Sequence, residues 1–83
     1  MEFLSAMPDE RTGFFHVKFG AAPDDPHPFI IIIILKPSYV ARKLHRDGAT
    51  RLEIEEYVRA NVNDLKATAQ NVKARGLTTQ ELD

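Results

Sequence analysis

Residues 29–35 read Phe-Ile-Ile-Ile-Ile-Ile-Leu, and this run constrains the fold more than any other stretch. Isoleucine branches at Cβ, which stiffens χ1 and favours a pleated backbone over a helix. In a strand, side chains alternate between faces, so Phe29, Ile31, Ile33 and Leu35 share one face and Ile30, Ile32 and Ile34 share the other. A strand apolar on both faces belongs where both are covered. Seven residues are too few to span a bilayer, which takes a helix of about 20. Pro28 and Lys36-Pro37 bracket the run; proline cannot extend a hydrogen-bonded ladder and lysine resists edge pairing, so both guard against aggregation.

Covering two faces is hard for a chain of 83 residues. That length makes one domain and buries only about 60–65% of its unfolded surface. Small chains add disulfides, metal or oligomerisation. With no cysteine, disulfides and thiolate metal sites are excluded, and a reducing, cytoplasmic setting is the expectation. Oligomerisation remains, so the sequence predicts a homodimer burying one face of 29–35. Lys and Arg number 11 against 12 Asp and Glu, which argues against a whole-protein attraction for nucleic acid or a membrane surface but leaves room for a local patch.

Around this strand the remaining elements follow from local chemistry. Residues 2–6 form a short strand, and Pro8 to Gly13 carry turn residues. Residues 14–19 alternate Phe15, Val17 and Phe19 against Phe14, His16 and Lys18, a half-buried strand with His16 on its wetter face. Residues 20–28 contain three prolines and two aspartates and read as a loop. Ser38 is expected to cap a short helix over 39–47 that stops at Gly48. Thr50 and Glu53 have capping-box spacing and open a long helix to about Arg75, closed by Gly76; its length is about 37 Å at 1.5 Å per residue. Its stripe of Ile54, Val58, Val62, Leu65, Ala69 and Val72 is a core face or a helix–helix seam. Glu55 and Arg59 are spaced for an i,i+4 pair. Ala60, Ala67 and Ala74 recur every seven residues, as good helix formers on a surface or as a second close-packed seam. The tail 77–83 is a further turn, a short strand or frayed chain. The fold class is therefore α+β: a small antiparallel meander of two or three strands, then a short and a long helix packed on it.

Residues 29–65, with a strand, "LKPSYVARKL", a glycine and "ATRLEIEEYV", resemble a ribbon-helix-helix domain at Leu35, Pro37, Leu44, Gly48, Thr50, Glu53 and Ile54. That resemblance implies a strand paired with the same strand of a second subunit and inserted into the DNA major groove. The departure is that neither face of this strand offers donors or acceptors to read base edges. Across nearly the whole chain the sequence is similar to a small bacterial family of unknown function. The likeness lies in a strand ending like "VKF", the long-helix pattern of "YVRANVNDLKATAQNVKARG" and the ending "LTTQELD". It implies an α+β fold and no activity.

No motif points to catalysis. Ser5 and Ser38 are the only serines and neither stands in a nucleophile elbow. Phosphate loops and glycine-rich dinucleotide turns are missing. Asp47, Glu53, Glu55 and Glu56 gather at a helix start, where the macrodipole favours them, with no signal for the burial that acid chemistry needs. His16, His27 and His45 have no ligand spacing, and Asp24, Asp25 and His27 share a proline-rich loop best read as solvated. No catalytic, cofactor or metal residue is assigned. Two candidate surfaces remain. Arg42, Lys43, Arg46 and Arg51 make a basic patch suited to an anionic partner. Ile30, Ile32 and Ile34, with Val58, Val62, Leu65 and Val72, are the candidate subunit interface. The reading is a small non-enzymatic, homodimeric interaction protein; the alternative is a ribbon-helix-helix-like DNA-binding regulator using the 42–51 patch.

Overall fold

The computed structural model describes residues 1–83. Three strands come first: β1 (Glu2–Pro8), β2 (Phe15–Gly20) and β3 (Ile30–Leu35). Three helices follow, α1 (Pro37–Lys43), α2 (Arg51–Ala60) and α3 (Val62–Ala74), and the chain ends in β4 (Thr79–Leu82). The sheet has four strands in the order β1-β2-β3-β4. The first two pairings are antiparallel, but β3 and β4 run parallel. The expectation of a purely antiparallel sheet of two or three strands is therefore corrected to a four-stranded mixed sheet. The cause is the tail: Ile32 donates to the carbonyl of Thr78 at 2.9 Å and Lys36 to that of Leu82 at 3.0 Å. This fills the second edge of β3 and makes it an interior strand.

One face of the sheet carries the core. Phe15, Val17 and Phe19 of β2 and Ile31, Ile33 and Leu35 of β3 are buried against Val40 of α1, Ile54 and Val58 of α2, and Leu65, Ala69 and Val72 of α3. Period-two and period-3.6 stripes thus meet across one layer boundary. The β1 register shifts at Leu4, between Phe3 and Ser5. The bulge lets Phe3 stack edge-on to Phe19 at 5.8 Å between centroids while Ser5 pairs with Lys18.

The helices differ from expectation in three places. Ser38 is not the cap of α1: Pro37 occupies the first helical turn and Lys36 is the N-cap, with no side-chain cap bond. Proline's fixed φ favours that position and starts the helix two residues early. The helix also stops before 47, because His45 adopts φ 56°. Its N–H donates to the Arg42 carbonyl at 3.2 Å and that of Arg46 to Ala41 at 3.0 Å, a Schellman ending in which histidine replaces the usual glycine. Finally, the long helix is interrupted at Asn61 (φ −123°, ψ 23°). Its amide side chain folds back to donate to the carbonyl of Tyr57 at 2.9 Å, sharing that acceptor with its own backbone N–H. The capping box at Thr50 forms as its spacing predicts: Thr50 Oγ1 accepts from the Glu53 N–H at 3.2 Å, and Glu53 accepts from the Thr50 N–H at 2.9 Å. Gly76 ends α3 at φ 76°.

Candidate functional site

All three helices use the core face, and the opposite face of the sheet carries no covering element. Strand register arranges that outer face in rows. Ser5, Lys18, Ile32 and Thr79 lie abreast; one pair along, Met7, His16, Ile34 and Glu81 do. Gly20 lies abreast of Ile30. A Cβ on Gly20 would stand 2.8 Å from Leu4 Cδ1, so the bulged leucine folds over the bare glycine and joins the same face. Met7, Ile30 and Leu4 are 65%, 53% and 50% exposed; Ile32 and Ile34 are half-buried by their neighbours alone. Five apolar side chains thus form one patch, interrupted by Ser5, His16 and Lys18 on one side and Thr79 and Glu81 on the other. Exposed apolar side chains gathered on one face and mixed with polar ones make this face the candidate interaction surface.

Charges rim the patch. The chain's ion pairs leave Lys18 without a carboxylate. Lys36 binds Asp83 at 2.6 Å and Glu81 more loosely at 3.7 Å; it also lies 5.2 Å from the centre of the Phe14 ring. The hydrogen bond that Lys36 donates to the Asp83 carboxylate holds its ammonium above its ordinary pKa.

Of the expected interface residues, Ile30, Ile32 and Ile34 lie on this face. Val58, Leu65 and Val72 do not: they are buried in the chain's own core, so the helical stripe is a core face and has nothing left for a second subunit. The sheet consumes it because α3 packs across β3 and its neighbours β1 and β4, and α2 packs beside it toward β1. Val62 is half-buried and, with Phe3, Ala6, Glu55, Val58 and Arg59, lines an open cleft of about 450 Å³ between β1 and the helices. Ala60, Ala67 and Ala74 face outward.

The basic patch is largely neutralised. Arg46 pairs with Glu53 and donates to the carbonyl of Gly48 at 3.3 Å. Arg51 lies 3.7 Å from Glu10 and 3.5 Å from Glu55; Glu55 is thereby drawn to Arg51 rather than to Arg59. Arg42 donates to the Asp83 carbonyl. Lys43 alone has no such partner and lies 5.2 Å from the centre of the Tyr39 ring. Glu53, in the first turn of α2, sits below its ordinary pKa because the Thr50 backbone N–H and Arg46 bind its ionised form. That is the signature of a structural anion. Tyr57 is pushed up to about 12 by burial and by the neighbouring Tyr39 phenol, whose ring centroid is 6.0 Å away. In the loop, Asp25 accepts from the His27 N–H at 2.8 Å, an Asx turn. No three His, Asp or Glu side chains are grouped to hold a metal ion.

Sequence reasoning missed Leu4 and Met7. Their membership depends on the bulge, which changes which β1 residues face outward and has no local signal here. No helix is long and apolar enough to cross a membrane. Neither a family model, nor a curated protein, nor a solved structure matches this chain.

Proposed function

We propose that this protein is a non-enzymatic interaction module that works as a homodimer, with the outer face of its sheet as the subunit contact. The observation that carries this reading is the uncovered patch of Leu4, Met7, Ile30, Ile32 and Ile34. Apolar surface of this kind gains about 25 cal/mol per Å² on leaving water. A second copy is the partner always present with the chain, and two-fold pairing is the commonest closed arrangement. Face pairing is also easier than edge pairing here. The free edge of β1 is blunted by its bulge and by Pro8, and β4 is only four residues long.

The rival reading is a DNA-binding regulator using Arg42, Lys43, Arg46 and Arg51. It has less support. A two-stranded ribbon needs a free edge on β3, and β2 and β4 occupy both; Arg46 and Arg51 are spent on carboxylates. Sedimentation equilibrium at micromolar concentration tests the dimer. The expected mass is about 19 kDa, twice the 9.4 kDa of one chain; a mass near that of one chain overturns it. Binding to duplex DNA that falls steeply with salt and weakens in Arg46→Ala would favour the rival instead.

A further inference from the structure

We propose that the cleft between β1 and the helices binds a small apolar carboxylate, of the class of medium-chain alkanoates, with its tail on Phe3, Ala6, Val58 and Val62 and its charge on Arg59. This site lies on the core side of the sheet, so it stands or falls separately from the dimer contact on the outer face.

The cleft exists because the helices cover β1 incompletely. Phe3 and Ala6 lie abreast of Phe19 and Val17, so all four point to the core face. Phe19 and Val17 are wholly buried there, yet Phe3 keeps 44% of its surface exposed. Ala6 widens the gap, since a single methyl group stands on β1 where β2 has a valine beside it. The cleft spans the break at Asn61: Glu55, Val58 and Arg59 come from α2 and Val62 from α3. Its volume of about 450 Å³ falls among small-molecule sites, which are mostly apolar with a few polar groups that orient the ligand.

Charge selects the ligand class. Of the two ionised side chains that line the cleft, Glu55 is already drawn to Arg51 at 3.5 Å. Arg59 is exposed and meets no carboxylate in the chain. A free guanidinium beside apolar surface suits a carboxylate on an apolar tail. Its planar fork matches the two carboxylate oxygens, while the tail gains by leaving water. A cationic head group would be repelled by Arg59, and a neutral one would leave the guanidinium without a counter-ion. Because the cleft is open, the ligand stays partly wet, and octanoate is expected to bind with a Kd on the order of 1 mM.

The test is a titration of isotope-labelled protein with octanoate, octanol and octylammonium, followed by nuclear magnetic resonance. Octanoate is expected to shift the resonances of Ala6, Val58 and Val62 saturably, and octylammonium to bind at least about tenfold more weakly. Arg59→Gln is expected to weaken octanoate about tenfold and to leave octanol within roughly twofold. Ala6→Leu, which fills the cleft, is expected to abolish the binding of both, with thermal unfolding as the check that the fold is kept. Arg59 is exposed, so its variant keeps the fold and decides the question even where Ala6→Leu does not fold. Shifts that fail to saturate or fall outside the cleft overturn the proposal. So do equal binding of octylammonium, an octanoate affinity unchanged in Arg59→Gln, and a folded Ala6→Leu that still binds.

Discussion

Two neighbouring isoleucines offer a sharp test of which face of β3 is which. Ile33 is wholly buried and Ile32 only half-buried. Removing three methyl(ene) groups from a filled core costs the transfer term plus the cavity left behind, about 3–4 kcal/mol for Ile33→Ala. A chain of this length has a total stability of about 4–12 kcal/mol, so the variant loses a large share of it. At a urea slope of about 1.5 kcal/mol per molar, its midpoint falls by roughly 2 M. Ile32→Ala leaves no enclosed cavity in a single chain and is expected to cost about 1 kcal/mol or less at nanomolar concentration, where chains are apart. Raising the protein concentration stabilises the wild type through association. The Ile32 penalty therefore grows with concentration while the Ile33 penalty holds constant. Urea unfolding of both variants, followed by fluorescence of Tyr39 and Tyr57 at two concentrations, reads all four quantities. Equal costs at the two positions, or an Ile32 penalty independent of concentration, would refute the assignment of faces and of the contact.

Other predictions concern local chemistry. His45→Gly relieves the steric cost of a side chain at φ 56° and is expected to raise stability by about 0.5–1 kcal/mol, seen as a melting temperature higher by several degrees. Thr50→Ala removes half of the capping box and is expected to cost about 1 kcal/mol in urea unfolding. Glu53 has a folded pKa below its ordinary 4.5. Its contribution is therefore present above pH 4.5 and lost as pH falls through the lowered value; Glu53→Gln should flatten that acid limb of the stability curve. Tyr57 carries the opposite sign: with a folded pKa of about 12 against an ordinary 10.0, its contribution is complete below pH 10 and lost as pH rises toward 12. Ultraviolet titration should show one phenol ionising late, and Tyr57→Phe should remove that step.

How much of this architecture the sequence carries depends on how local each determinant is. The two faces of β3, the alternation of β2, the capping box at Thr50 and the stop at Gly76 each rest on a few adjacent residues, and each is legible there. β4 is not: Thr79–Leu82 is polar and short, and it is a strand only because β3 offers an unpaired edge beside it. The break at Asn61 depends on a side chain choosing the Tyr57 carbonyl over water, while propensity alone favours continuity across it. Ser38 and Gly48 have the right chemistry for caps, but Pro37 and His45 outcompete them by fixing backbone angles earlier in the chain. The candidate surface divides in the same way. Ile30, Ile32 and Ile34 are legible from alternation, whereas Leu4 and Met7 depend on the bulged register of β1 against β2. The helical stripe of Val58, Leu65 and Val72 has the spacing of a seam as well as of a core; only the position of the sheet decides between them.

The most direct test of the central claim is an isotope-filtered nuclear Overhauser experiment on an equal mixture of carbon-13-labelled and unlabelled protein. The account predicts contacts between subunits at the methyl groups of Ile30, Ile32, Ile34, Leu4 and Met7, and none at Ile31 or Ile33. Contacts between subunits confined to the helices, or the absence of any at millimolar concentration, would contradict it.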